Sequence, residues 1–193
     1  MARQLNLRRQ GGVTLIEVLV TILILSIGLL GVAGLQSRLQ MSEMEAYQRS
    51  QALLLLDDMA SRIATNRNRA ADYVTSTGAL GTGMTCSTVS TSSTRQQIDH
   101  AEWCMALQGA AESVGSGSTA SKLGAMIGGR GCVESLGSGE YLITVAWQGM
   151  GPISAPPASV SCGANQYDGV NGSACSNDLC RRVVTTIVRI ADL

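Results

Sequence analysis

An apolar run near the amino terminus sets the first limit on the fold of this chain. Val13–Leu35 spans 23 residues and contains no basic residue and a single acid, Glu17. As an α-helix rising ~1.5 Å per residue it would be about 35 Å long, enough to cross a hydrocarbon core of ~30 Å. The sequence therefore predicts a helix that can span a membrane.

A basic segment precedes this run. Met1–Gly12 contains Arg3, Arg8 and Arg9 and no acid. Because positive charge favours the cytoplasmic side, we expect the amino terminus in the cytoplasm and the chain after Leu35 on the far side of the inner membrane. Six cysteines in a chain with only 3% aromatic residues fit an oxidising compartment, where disulfides supplement a thin core.

Glu17 is the residue that least fits a membrane helix. A carboxylate costs about 2.5–3.5 kcal/mol at the bilayer centre and less near the interface, and the apolar run offers it no cation. Cleavage between Gly12 and Val13 would create an α-amino group four residues away, with a reference pKa of about 7.7–8.0. In an array of identical helices, the amine of one subunit can meet the carboxylate of another, so cleavage would be coupled to assembly.

The residues around this position resemble the signal of type IV prepilins and type II secretion pseudopilins. A short basic leader, Gly12-Val13-Thr14-Leu15-Ile16-Glu17 and an unbroken apolar helix carry the resemblance. It implies a prepilin peptidase that cuts after Gly12 and methylates the amine of Val13, and it implies that Glu17 acts in assembly. Val13 stands where Phe or Met is commoner.

In many major pilins a helix-distorting proline stands where this chain has Gly34. Gly28, Gly31 and Gly34 are therefore the expected weak points of the helix, since glycine destabilises a helix interior by roughly 1 kcal/mol.

An ordinary secretory signal is the alternative interpretation of the amino terminus. It also combines a basic start with an apolar run, and Gly31-Val32-Ala33 has the small residues of a cleavage site. Cleavage there would release a soluble binding domain. The length of the run and the glutamate at its start favour prepilin processing instead.

The helix is predicted to continue beyond the membrane segment as an amphipathic helix over residues 36–66. No proline interrupts Val13–Asn66, which would extend about 80 Å at ~1.5 Å per residue. The Leu53–Leu56 cluster is expected where a sheet docks, and Asp57 and Asp58 on a solvated face. Apolar residues recur at steps of three, four and seven and predict one apolar stripe along this helix, formed by Leu35, Leu39, Ala46, Leu53, Leu56, Ala60 and Ile63. Polar and charged residues fall largely on the other faces, namely Arg38, Glu43, Glu45, Gln48 and Arg49.

Residues 67–193 are predicted to form a globular domain. Thr75–Ser93 is predicted to be a loop. Thr94 and Gln97 fit a capping box for a second helix, in which Trp103, Leu107, Ala110 and Val114 recur at helical spacing and Trp103 anchors the core.

Strands are predicted at Tyr141–Trp147 and Val183–Ile190, and a third at Cys132–Leu136 is joined to the first by Gly137-Ser138-Gly139. Tyr141, Ile143, Val145 and Trp147 are expected on one face. The fold class is thus α+β: a long pilin-like helix packed on a small antiparallel sheet, with an additional helix and disulfide-linked loops.

Six cysteines are the disulfide candidates. Three precede the proline-punctuated segment Gln148–Arg182 and three lie within it, so if all six pair in the chain at least one bridge joins the two groups. Beyond that, 15 connectivities remain open. The two groups are Cys86, Cys104 and Cys132, and Cys162, Cys175 and Cys180.

We predict neither an enzyme nor a cofactor or metal protein. His100, the only histidine, is expected on the exposed side of the second helix beside Asp99 and Glu102, and no nucleophile motif is present. Gly128-Gly129-Arg130-Gly131 lacks the context of a phosphate loop and is predicted to be a turn. Nucleic acid is not expected as a partner, because loss of the leader leaves 11 basic and 14 acidic side chains.

Three later segments resemble the minor pilin V (PilV) subfamily of type IV pilins. They are Met59–Arg67, Asp99–Trp103 and Val145–Trp147. The resemblance implies a low-abundance subunit that joins other minor pilins, the major pilin and a tip adhesin to prime pilus assembly, supporting adhesion and twitching motility. A minor pseudopilin of type II secretion and a membrane-anchored or released binding domain are the alternatives.

Overall fold

The computed structural model describes residues 12–75, 78–109, 113–114, 121–122 and 126–191. The chain divides into two compact units, Met1–Ser42 and Glu43–Leu193. The elements, in chain order, are helix α1 (Leu15–Thr65), a 3-10 helix (Arg67–Tyr73), strand β1 (Leu80–Gly81), helix α2 (Arg95–Leu107), and strands β2 (Ser113–Val114), β3 (Ser121–Lys122), β4 (Arg130–Gly137), β5 (Glu140–Gln148) and β6 (Arg181–Arg189).

Helix α1 is continuous over 51 residues. It begins two residues after the predicted start and ends one residue before the predicted end, and Gly28, Gly31 and Gly34 lie inside it without a break. By length and composition it can cross a membrane. The α+β fold predicted from the sequence is confirmed by this helix, the small antiparallel sheet, the second helix and the disulfide-linked loops.

The four-stranded sheet of the second unit has the strand order β1-β4-β5-β6, and all of its pairs are antiparallel. Strands β2 and β3 pair separately. The three predicted strands are confirmed. The β4–β5 hairpin turns at Ser138 and Gly139, whose φ values of +50° and +72° match the two positive φ angles of a type I′ turn. Strand β1 lies inside the segment predicted to be a loop, and its two residues are too few to leave a periodic signal.

Strand β5 places the predicted alternating residues in the core. One of its faces carries Tyr141, Ile143, Val145 and Trp147, all buried in the main hydrophobic cluster with the inner side of α1. Thr144 and Ala146 on the opposite face are also fully buried. The segment between β5 and β6 covers that face, because Gly163 lies against both Tyr167 and the Cβ of Ala146.

The buried stripe of α1 differs from the predicted one. Its members are Gln48, Ala52, Leu56, Met59 and Ile63. Leu35, Leu39, Ala46 and Leu53 are exposed instead, and within the leucine cluster Leu53 and Leu54 are 43% and 62% exposed while Leu55 and Leu56 pack on the core.

Two physical facts account for this difference. Leu35 and Leu39 belong to the first unit, where the described residues include no second element to cover them. Gln48 was predicted on a polar face but is buried, because its Oε1 accepts the backbone N–H of Ile127 at 3.2 Å. Gln48 therefore occupies a buried position on α1, although a prediction based on apolar residues alone assigns the buried face to neighbouring side chains.

The capping box of α2 is confirmed. The Thr94 hydroxyl accepts the N–H of Gln97, and the Gln97 side chain accepts the N–H of Thr94. Trp103 is fully buried, and its Nε1 donates to the Leu55 carbonyl at 2.9 Å. A Cβ on Gly131 would collide with the Trp103 ring, so glycine is required where β4 passes the indole.

The predicted extension of α2 to Val114 is wrong. The helix ends at Leu107, Gly109 has a φ of +79°, and Val114 lies in β2. Glycine in this left-handed conformation terminates helices. Ala110 lies outside the described residues.

The polar side of α2 is not solvated as predicted. Asp99 is 1% exposed, and its carboxylate accepts from Arg62 at 2.8 Å, from Arg95 at 2.8 Å and from the Tyr73 hydroxyl at 2.5 Å. His100 is half-buried, with its ring nitrogens 3.1 Å from the Tyr73 carbonyl and 2.9 Å from Gln96 Nε2. Asp99 thus contacts the end of α1 and the 3-10 helix, and His100 contacts the 3-10 helix. Sequence periodicity does not reveal these contacts.

Three disulfides connect the loops of the second unit. They are Cys86–Cys104, Cys132–Cys162 and Cys175–Cys180. The first ties the loop before α2 to that helix, the second ties the segment after β5 to β4, and the third closes a short loop before β6. The second bridge joins the two cysteine groups defined from the sequence.

Tyr73 gives the second unit a testable dependence on alkaline pH. Its side chain is fully buried, and burial, followed by the hydrogen bond to Asp99, raises the pKa of the phenol to about 12 from its ordinary 10. The folded state therefore retains a proton that the unfolded chain loses first, so this stabilisation is complete below pH 10 and is lost as the pH rises towards 12.

We expect the urea midpoint of the full chain in detergent micelles to fall above pH 10. Burial also raises the pKa of Tyr167, so Tyr73→Phe should reduce the fall without abolishing it. An equal fall in parent and variant would contradict the assignment to Tyr73.

Candidate functional site at the amino-terminal helix

Thr14 fixes the start of α1. Its carbonyl accepts the N–H groups of Glu17 at 3.1 Å and Val18 at 3.3 Å, and its hydroxyl lies 3.4 Å from the Glu17 nitrogen. A side-chain oxygen in this position satisfies one of the unpaired N–H groups of the first helical turn. The prediction made from the sequence considered only the charge of Glu17 and did not include the capping role of Thr14. The signal was present, because Thr-x-x-Glu before an apolar run marks the start of a helix.

Gly12 and Val13 precede the helix and are exposed. Neither has helical structure, and a Cβ placed on Gly12 would meet nothing within 4 Å. Peptidases cut backbone that is accessible and free of regular hydrogen bonding. The bond between these two residues therefore has the local properties of a cleavable bond.

Glu17 lies in the first turn of α1 with an exposed carboxylate. Within the described part of the chain, no hydrogen bond or ion pair of that carboxylate is found. The positive end of the helix dipole favours an acid here by typically 0.3–1 kcal/mol. This is less than the cost of a carboxylate in a membrane interior, so a separate cation is still needed in an apolar environment.

The first unit exposes a continuous apolar surface. Large apolar side chains from Val13 to Leu35 are 44% to 79% exposed. The hydroxyls of Thr21 and Ser26 donate to the carbonyls of Val18 and Ile22 at 2.8 and 2.7 Å, so these two polar side chains are satisfied within the helix. A surface of this extent requires lipid or other apolar helices around it.

Gly12, Val13 and Glu17 thus lie together in one short segment at the start of α1. The six cysteine candidates all belong to the second unit, where they form the three disulfides.

Comparison with known proteins finds a match that includes Gly12, Val13 and Glu17. Residues 7–33 match the family model of the prokaryotic N-terminal methylation motif. Searches of curated proteins and of solved structures found no match. The motif supports a type IV pilin-like or prepilin protein, which implies processing by a prepilin peptidase and assembly with other pilins. The single apolar helix is consistent with anchoring in the inner membrane before that assembly.

Proposed function

We propose that this chain is a minor pilin of the type IV pilus. The observation that carries the proposal is an exposed apolar run, residues 13–35, whose single acid, Glu17, lies four residues after Val13 of the accessible Gly12-Val13 bond. In this scheme residues 1–12 are the leader, residues 13–35 anchor the precursor and later pack in the filament, residues 36–66 continue the helix, and residues 67–193 form the globular domain.

Cleavage and assembly are linked through charge in this proposal. A prepilin peptidase cuts after Gly12 and methylates the new amine of Val13, which stays positively charged as a secondary amine. In the filament, the amine of one subunit pairs with the Glu17 carboxylate of a neighbour. Two charges that would each be costly in an apolar environment then neutralise each other, so an uncleaved subunit is disfavoured in the array.

Support for a minor subunit comes from the second unit. The three segments that resemble the minor pilin V subfamily contribute Met59, Ile63, Trp103, Val145 and Trp147 to the core. The resemblance therefore falls on residues that determine the packing of helix on sheet. It supports a role alongside other minor pilins, the major pilin and a tip adhesin in priming assembly, adhesion and twitching motility.

Cell fractionation after deletion and complementation tests this function. Mechanical shearing should release the protein with surface pili, and deletion should reduce piliation and twitching while secreted enzymes reach the medium normally. Loss of secreted enzymes with normal piliation would instead identify a pseudopilin of type II secretion. Recovery of the protein only in the membrane or the soluble fraction would favour a separate binding domain.

A further inference from the structure

Arg130, at the start of β4, presents a fixed cation that has no acidic partner among the described residues. Its Nη1 lies 3.3 Å from the Gly128 carbonyl oxygen, and its Cζ lies 5.1 Å from the centre of the Tyr167 ring. No carboxylate forms an ion pair with it in the described ranges of the chain. Since a guanidinium has five N–H donors, several remain available.

The guanidinium borders a concavity between the β1 turn and the segment after Val160. Among the described residues that line it, Arg130 is the only charged one. The lining residue Ser161 donates its hydroxyl to Oε1 of Glu134 at 2.6 Å. Besides glycines and Ala164, the described lining residues are Ala79, Thr82, Met84, Arg130, Ser161 and Gln166.

The walls of this concavity are held by covalent and buried contacts. The Cys132–Cys162 bridge fixes one wall to β4, and buried Arg181 donates to the carbonyls of Val160 at 2.7 Å and Cys162 at 3.1 Å. The Tyr167 hydroxyl donates to the Gly128 carbonyl at 2.9 Å. A cation held in a rigid setting binds a ligand with little ordering cost.

We propose that this concavity binds the carboxylate of an acidic sugar unit. The planar fork of Arg130 matches a carboxylate in bidentate geometry, and a single cation matches a single negative charge. Thr82, Ser161 and Gln166 supply groups that hydrogen-bond to sugar hydroxyls, and Ala79 and Met84 supply aliphatic surface for the ring. Dense polyanions are disfavoured, because the chain without its leader carries 11 basic and 14 acidic side chains.

Calorimetric titration of the full chain in detergent micelles tests this site, with sodium glucuronate as probe and glucose and inorganic phosphate as comparators. We expect saturable glucuronate binding. Glucose should bind about tenfold or more weakly because it lacks the charge-assisted hydrogen bond to Arg130, and phosphate should also bind more weakly because it lacks the ring and hydroxyl contacts. Arg130→Gln should weaken glucuronate binding by a similar factor. Arg189→Gln, which removes an exposed arginine paired with Glu140, should leave it unchanged.

A measurement of the urea midpoint establishes that the Arg130→Gln variant is folded. If it is not, Arg130→Lys, which keeps the charge but loses the planar fork, replaces it and should also bind more weakly. The proposal is overturned if glucuronate does not saturate the parent, if phosphate or glucose binds as tightly, or if the folded Arg130 variant binds like the parent.

Discussion

Glu17→Val is expected to leave the chain cleaved and membrane-anchored but almost absent from pili. The variant removes the only acid of the apolar run, so the neighbouring subunit's amine enters the helix array without a partner. A charge left unpaired there costs up to about 2.5–3.5 kcal/mol, the value at a bilayer centre. This corresponds to a reduction in incorporation of up to about a hundredfold.

Quantitative immunoblots of sheared pili and of membranes measure this effect. Glu43→Gln is the matched control, because Glu43 is an exposed helical glutamate in the same helix but beyond the apolar run. It should enter pili like the parent. Incorporation of Glu17→Val at the parent level would show that the carboxylate has no part in assembly.

Asp99→Ala is expected to destabilise the second unit by about 1–3 kcal/mol, the range for leaving a buried polar group without its hydrogen-bond partner. The substitution leaves the buried Tyr73 hydroxyl without its acceptor, whereas Arg62 loses one carboxylate partner and keeps Asp58 and Glu102. Arg95 contributes little because its side chain is 64% exposed. Since Arg62 lies on α1, Tyr73 on the 3-10 helix and Asp99 on α2, the loss acts on the junction of three elements.

Urea unfolding of the full chain in micelles provides the measurement. Glu102→Gln serves as the comparison, because Glu102 also bonds Arg62 but is 47% exposed, and we expect it to cost less than about 1 kcal/mol. Equal losses for the two variants would mean that burial of Asp99 contributes nothing beyond a surface ion pair.

The features predicted well from the sequence are those determined by neighbouring residues. Alternation in Tyr141–Trp147 gave the buried face of β5, because successive side chains of a strand point to opposite faces. Thr94 and Gln97 marked the start of α2, because a capping box needs only local spacing.

The features that were missed depend on contacts distant in sequence. The burial of Asp99 depends on Arg62, 37 residues away, and the burial of Gln48 depends on a backbone N–H 79 residues away. The helical spacing of Leu53 and Leu56 did not distinguish the buried face from the one beside it. Disulfide pairing was open for the same reason, since it requires the folded positions of the cysteines.

At the amino-terminal segment the sequence identified Gly12, Val13 and Glu17 but not the capping role of Thr14. The proposed roles of the first three remain predictions about the processed protein. These roles require that the Gly12-Val13 bond is cut and that Val13 then has a free amine. The processed chain is therefore the form of the protein that tests them.

Mass spectrometry of the mature amino terminus, on protein recovered from sheared pili and from membranes, is the decisive measurement. The proposed function predicts a chain that begins at Val13 and carries a methyl group on its amine. A pilus-assembled chain that retains Met1, or a mature chain that begins at Gly34, would contradict it.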